Sequence, residues 1–125
     1  MLNYQPPESL LAALKALSQP TRLAIFDLLM EGVQCSCEIA ERLDLAPNLI
    51  SYHMRALEEA GLVESVRDKD DARWIYYSLR PAALARLHKQ LGALTDPARI
   101  QPRVPNCGPR AEENASCELA GACKR

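Results

Sequence analysis

Apolar residues recur at three- and four-residue intervals over 8–18, where Leu10, Leu11, Leu14 and Leu17 predict a first amphipathic helix. Ser18-Gln19-Pro20 breaks the pattern, and Pro20 suits the first turn of a second helix. That helix carries Leu23, Ile25, Phe26, Leu28 and Leu29, so it is apolar on most sides and expected at the centre of the fold. Gly32 ends it, able to take a left-handed cap. A short helix is predicted over 36–43, with Ile39, Ala40 and Leu43 inward. Asp44-Leu45-Ala46 then forms a tight turn, and Pro47 opens a helix that Gly61 stops. Ile50, Met54 and Leu57 are spaced for burial there, which turns Asn48, Ser51, Tyr52 and Arg55 outward. Two helices joined by so short a turn form a helix-turn-helix unit.

The period then changes. Leu62-Val63-Glu64-Ser65-Val66 and Trp74-Ile75-Tyr76-Tyr77-Ser78-Leu79 are rich in β-branched and aromatic residues and partly alternate. The charged stretch between them, residues 67–73, reads as the turn of a β-hairpin. A hairpin directly after a helix-turn-helix is a wing. Pro81 starts a last helix whose Leu84, Leu87, Leu91 and Leu94 form one stripe, a candidate dimer face beside the first helix. The predicted fold is mainly α with a β-hairpin wing, in the order α-α-α-α-β-β-α. From about Thr95 prolines recur (Pro97, Pro102, Pro105, Pro109) among small and polar residues. The expectation is therefore a DNA-binding and dimerisation domain over 1–94 and a flexible, cysteine-containing tail over 95–125.

With 125 residues the chain suits one modest core, and a dimer that buries further helical surface is expected. No apolar run approaches the roughly 18 residues of a membrane span. The opening Met1-Leu2-Asn3-Tyr4-Gln5-Pro6-Pro7 lacks the regions of a signal peptide, so a cytoplasmic protein is expected. Five cysteines, an odd number, argue in that compartment for metal binding or redox sensing rather than a disulfide framework. The formal net charge of −1 does not announce a nucleic-acid partner. A dimer can still gather Arg22, Arg55, Arg67, Lys69 and Arg73 on one surface. No nucleophile-base pair, glycine-rich phosphate loop or His-rich zinc motif points to an enzyme, and no organic cofactor is implied.

Three stretches carry a resemblance: Leu17-Ser18-Gln19-Pro20-Thr21-Arg22-Leu23, Ser51-Tyr52-His53-Met54, and Leu57-Glu58-Glu59-Ala60-Gly61-Leu62-Val63. With Arg73-Trp74-Ile75-Tyr76-Tyr77-Ser78-Leu79 as a returning wing strand, the chain resembles the ArsR/SmtB family of metal- and metalloid-responsive repressors over about Leu10 to Leu94. The resemblance implies a winged-helix homodimer that binds double-stranded operator DNA and leaves it when an inducer arrives. Val33-Gln34-Cys35-Ser36-Cys37-Glu38-Ile39-Ala40 is similar to the family's metal box. The arsenic-sensing form of that box has a third cysteine where this chain has Ala40. The cadmium- and lead-sensing form adds cysteines from an N-terminal arm that has no counterpart here. The box is thus a half-site, and the tail thiols Cys107, Cys117 and Cys123 are the candidates to complete it.

Thiolates are soft ligands, suited to As(III), Sb(III), Cd(II), Pb(II), Cu(I) and zinc. As(III) takes three sulfurs in a pyramid, whereas cadmium and zinc favour four ligands. Cys35 and Cys37 stand two apart at a helix start, where the chain is not yet regularly helical and both can converge on one ion. The helix N-terminus and basic neighbours favour the thiolate. A trithiolate of Cys35, Cys37 and Cys107, with Cys117 or Cys123 as alternatives, is the simplest stoichiometry. An extended chain from Leu94 reaches on the order of 40 Å, so either subunit's pair is accessible to Cys107. As(III) or Sb(III) is the expected inducer. A thiol redox sensor, or a Cd(II), Pb(II) or Zn(II) sensor of the same fold, is the alternative. His88 has no second histidine or acidic pair near it in sequence and reads as a surface residue. For His53 a structural role is at least as good a reading as base contact.

The helix from Pro47 is expected in the major groove, with Asn48, Ser51 and Tyr52 at base edges and Arg55 at phosphate. Lys69 and Arg73 of the wing are expected on the phosphate backbone. The family often has Ser then Gln where this chain has Ala46 and Pro47, which removes an N-cap and one polar reader. Metalloid capture would distort the front of the first motif helix and shift the two recognition helices off adjacent grooves.

Overall fold

The computed structural model describes residues 4–110, and Cα packing divides the chain into two units, Met1–Leu94 and Thr95–Arg125. The first unit runs α1 (Glu8–Leu17), α2 (Pro20–Leu29), β1 (Gln34–Cys35), α3 (Ser36–Leu43), α4 (Pro47–Glu59), β2 (Val63–Arg67), β3 (Ile75–Leu79) and α5 (Pro81–Leu94). This is a winged helix-turn-helix with one strand beyond the expected order. β1 pairs antiparallel with β3, placing Gln34 opposite Tyr77 and Cys35 opposite Tyr76, and the sheet order is β1-β3-β2. Two residues are too few for alternation to show, so the sequence carried no signal for β1.

Local chemistry sets the boundaries. The Gln19 side chain caps α2 by accepting from the Thr21 amide at 3.1 Å, and Pro20 occupies the first turn. Asp44 closes α3 in the left-handed conformation at φ 53°, and the Leu45 amide bonds the Ala40 carbonyl at 3.0 Å. Pro47 then opens α4, whose N-cap Ala46 offers no side-chain acceptor.

Ile25, Ile39, Ile50, Met54, Leu57, Leu62 and Val63 form the innermost core, drawn from α2, α3, α4 and the start of the wing. Packing thereby fixes α4 against the rest of the unit and leaves its other face to solvent. Two expected stripes are redistributed. On α1 the inward face is Leu10, Ala13 and Ala16, while Leu11 and Leu14 are exposed. On α5, which packs against α1, Leu87 is buried and Leu84 and Leu91 pack on the core. Most of the α5 stripe read as a dimer face is therefore spent inside the subunit; its Leu94 is exposed, as are Leu11 and Leu14 of the neighbouring α1.

In the second unit, Asp96 caps a single 3-10 turn, Pro97–Arg99, by accepting from the Ala98 amide at 2.9 Å. Among the described residues no helix is long and apolar enough to cross a membrane.

Candidate functional site

Cys35 ends β1 and is the N-cap of α3. Its sulfur accepts from the Glu38 amide at 3.4 Å, and the Glu38 carboxylate accepts from the Cys35 amide at 2.9 Å. This is a capping box with sulfur in the place usually held by a hydroxyl. Cys35 is buried and Cys37, the second residue of the helix, is exposed. Their Cα atoms are 5.4 Å apart and the two sulfurs are joined as a disulfide. The sequence-predicted pair thus converges, at a helix N-terminus whose dipole favours thiolate over thiol in the reduced form.

Cys37 also lines a groove of about 370 Å³ with Ser36, Arg73 and Trp74. Arg73 and Trp74 come from the end of the wing loop, so the groove joins the start of α3 to the wing. Arg73 donates twice to Asp71, at 2.9 and 2.7 Å, and this ion pair offsets its charge. The Arg73 guanidinium holds the Asp71 carboxyl below its usual range. Trp74 is held by its backbone: its carbonyl accepts from the Asp68 amide at 2.9 Å, and its amide donates to the Asp71 carbonyl at 3.0 Å.

Among the described residues no group of three or more His, Cys, Asp and Glu side chains stands close enough to hold a metal ion. The pair thus brings two sulfurs together with no third candidate ligand beside them among the described residues. Cys107 is exposed in the second unit. Cys117 and Cys123 lie outside the described residues.

On α4, Asn48, Ser51, Tyr52 and Arg55 are all exposed on the face turned from the core. The Ser51 hydroxyl donates to the Pro47 carbonyl at 3.3 Å, a local bond within the first turns of α4. Arg55 lies with Ser51, Glu58, Glu59 and Arg67 in a groove between α4 and the wing. Lys69 is exposed at the wing tip beside Asp68 and Asp70. Arg67 donates to the Ala72 carbonyl at 2.6 Å and braces the hairpin.

Arg22 departs from its reading as a surface cation. Its Nε donates to His53 Nδ1 at 3.3 Å, its Nη1 to the Ala16 carbonyl at 3.5 Å, and its guanidinium lies 5.6 Å from the Tyr52 ring centroid. His53 is buried, and burial, then the Arg22 charge, lowers its pKa below the usual histidine range. His53 is accordingly a structural residue of α4. Sequence reading missed this joint because its members lie 31 residues apart, and nothing in local periodicity connects them.

Residues 19–65 match the family described as "Bacterial regulatory protein, arsR family". Transcriptional repressor SdpR of Bacillus subtilis is 39% identical over 70 residues, covering 56% of this chain and 74% of SdpR. Arsenic resistance transcriptional regulator ArsR1 of Pseudomonas putida is 29% identical over 109 residues, covering 82% and 83%. Among solved structures, the homodimeric winged helix-turn-helix DNA-binding domain Mb0332 of Mycobacterium bovis is similar at 29% identity. It covers 71% of this chain and 80% of that domain, with a TM-score of 0.57. With its short-turned helix pair, its exposed α4 face and its hairpin wing, this chain belongs to the arsR family of DNA-binding transcriptional regulators.

Proposed function

We propose that the protein is a homodimeric repressor that gives up its operator when Cys35 and Cys37 capture a thiophilic metal(loid), foremost As(III) or Sb(III). The observation that carries this reading is the convergence of both sulfurs at the N-terminus of α3, the first helix of the DNA-reading motif. Soft sulfur donors select thiophilic ions over hard ones. The similarity to ArsR1 of Pseudomonas putida supports arsenic as the inducer. A third thiolate comes from the tail, with Cys107 first and Cys117 or Cys123 as alternatives. A four-ligand ion such as Cd(II), Pb(II) or Zn(II) would need two of them.

Asn48, Ser51 and Tyr52 read base edges and Arg55 holds phosphate, with Lys69 and Arg73 adding backbone contacts from the wing. Two-fold pairing through the exposed leucines of α1 sets two α4 helices on successive major grooves. Coupling has two short routes from the sulfurs. Cys35 is paired with Tyr76 of β3, the returning strand of the wing, and α3 packs directly on α4. Constraining Cys35 against Cys37 therefore acts on both DNA-contacting elements. The decisive experiment replaces Cys35 and Cys37 with Ser and titrates arsenite against the operator complex. The reading requires release from the wild type and retention by the variant; release that persists in the variant overturns it.

A second reading is favoured by the pairing of the same two sulfurs as a disulfide. In it, oxidation of the dithiol rather than ligand capture moves α3. Operator release by a mild oxidant in the absence of arsenite, reversed by a dithiol reductant, is its signature.

A further inference from the structure

We infer that the groove between α4 and the wing is an effector site for a small zwitterion, an ammonium and a carboxylate set a few carbons apart, whose occupancy excludes the operator. The inference rests on the preceding reading only in taking Arg55 as a DNA contact. It involves no sulfur.

The groove encloses about 440 Å³, within the size range of small-molecule pockets. Four charges line it: Arg55, Glu58 and Glu59 from α4, and Arg67 from β2. Arg55 and Glu59 stand one helical turn apart, a spacing at which opposite charges pair readily. Yet no ion pair joins any two of the four. Neutral groups hold two of them instead. Glu58 Oε2 accepts from the Ser65 hydroxyl at 3.1 Å, and Arg67 Nη1 donates to the Ala72 carbonyl at 2.6 Å. These bonds fix a carboxylate and a guanidinium without cancelling either charge. The signs are also sorted along the groove. Glu58 reaches Ser65, while Arg67 lies two residues further towards the wing tip, so the floor is acidic near the α4–β2 corner and basic beyond it.

Tyr77 supplies the independent sign of a ligand. It stands opposite Ser65 in the sheet, lines the same groove and is only 5% exposed. Its hydroxyl has no hydrogen-bond partner among the described residues, and no fully enclosed polar side-chain atom among them lacks one, so the hydroxyl opens on the groove. Burial, then the Glu58 charge, raises its pKa while the Arg67 charge lowers it. The phenol is therefore a neutral donor within reach of both signs. Charge decides the ligand class. Two guanidiniums and two carboxylates sum to zero, and an ion of either sign would leave one pair unanswered. Two carboxylates with no third acidic or histidine ligand make no metal site, so an ammonium is the cation that suits them. Side chains one turn apart on a helix are about 5–6 Å apart at Cβ, a separation that an ω-amino acid such as 4-aminobutyrate spans. Its carboxylate would take Arg55, Arg67 and the Tyr77 hydroxyl, and its ammonium Glu58 and Glu59. Arg55 is then withdrawn from phosphate.

The test uses the full wild-type chain, reduced and free of metalloid. Titration calorimetry follows 4-aminobutyrate, with butyrate and butylamine as probes that carry one charge each. Anisotropy of an operator duplex at fixed salt follows displacement. 4-Aminobutyrate is expected to bind once per subunit and weaken operator binding, and each singly charged probe to bind about fivefold or more weakly by comparison. Glu58→Gln combined with Glu59→Gln keeps an acceptor for Ser65 and removes both negative charges. It should cut 4-aminobutyrate binding about fivefold or more, abolish displacement, and leave operator affinity equal or higher. Tyr77→Phe keeps the buried ring and removes the donor, and should weaken the same binding by roughly tenfold with little change in melting temperature. Binding of 4-aminobutyrate no tighter than that of butyrate or butylamine overturns the inference. So does binding that both variants leave unchanged, or binding that displaces no operator. Operator affinity unmoved by Arg55→Ala instead defeats the preceding reading's phosphate contact, while calorimetry on the DNA-free chain still decides the zwitterion site.

Discussion

Arg22 Nε donates to His53 Nδ1 at 3.3 Å, and this bond ties α2 to the recognition helix α4. The same guanidinium reaches the last turn of α1 through the Ala16 carbonyl and lies against Tyr52 on the exposed face of α4. One side chain thus links a helix with exposed leucines, the core and the exposed Tyr52 of α4. Arg22→Ala leaves the buried His53 nitrogen without its donor, a loss of about 1–3 kcal/mol of stability. Operator affinity should fall as well, because the Tyr52 ring loses its support. Chemical denaturation and fluorescence anisotropy on an operator duplex check both effects. Arg22→Lys should recover only part of either, since a point charge cannot fork to His53 and Ala16 together.

His53 gives the fold a pH dependence whose sign follows from that geometry. Accepting from Arg22 requires a neutral Nδ1, and burial also disfavours the imidazolium, so the folded pKa lies below the reference of 6.5. Between the two values the unfolded chain binds more protons than the folded one, and stability falls as pH drops through that window. His53 contributes in full above about pH 6.5 and progressively less below it. His53→Asn keeps an acceptor near the Nδ1 position and removes the titration. Thermal melts from pH 7.5 to 5 should show a smaller decline for the variant than for the wild type.

At Cys35 the cap and the ligand separate cleanly. Ser is among the preferred N-cap residues, so Cys35→Ser should keep the capping box with Glu38 and leave the melting temperature within a degree or so of wild type. Metalloid response should be lost. Glu38→Ala does the converse: it removes the bond to the Cys35 amide and costs about 1 kcal/mol, with both sulfurs still present. Melting curves and arsenite titrations on the two variants form a crossed pair of readouts.

Ala46 leaves the first turn of α4 without a side-chain cap. Ala46→Ser supplies an acceptor for a free amide there and should stabilise the protein by about 1 kcal/mol, as measured by denaturation. Operator affinity should hold or rise, because the second helix of the helix-turn-helix frays less.

Much of this architecture was legible in the sequence because its signals are local. Pro20, Pro47 and Pro81 mark helix starts within a residue of those observed, and the inward Ile50, Met54 and Leu57 of α4 followed from spacing. Cys35 and Cys37 stood out by chemistry and proximity, and the structure brings their sulfurs together. Features set by distant partners did not show. β1 exists because Gln34 and Cys35 find Tyr77 and Tyr76 across the sheet. The Arg22–His53 joint and the approach of Trp74 to Cys37 depend on how α2, α4 and the wing pack. The leucine stripes were seen, but which members face the subunit's own core is decided by the small Ala13 and Ala16, which let α1 sit close.

The central claim is that ligand at Cys35 and Cys37 and operator at α4 oppose each other. Operator affinity of the wild-type dimer, measured by anisotropy with and without saturating arsenite at one fixed salt concentration, gives the coupling directly. The account predicts weakening by roughly 5- to 150-fold, a coupling of about 1–3 kcal/mol. Equal affinity of the loaded and free forms would contradict it.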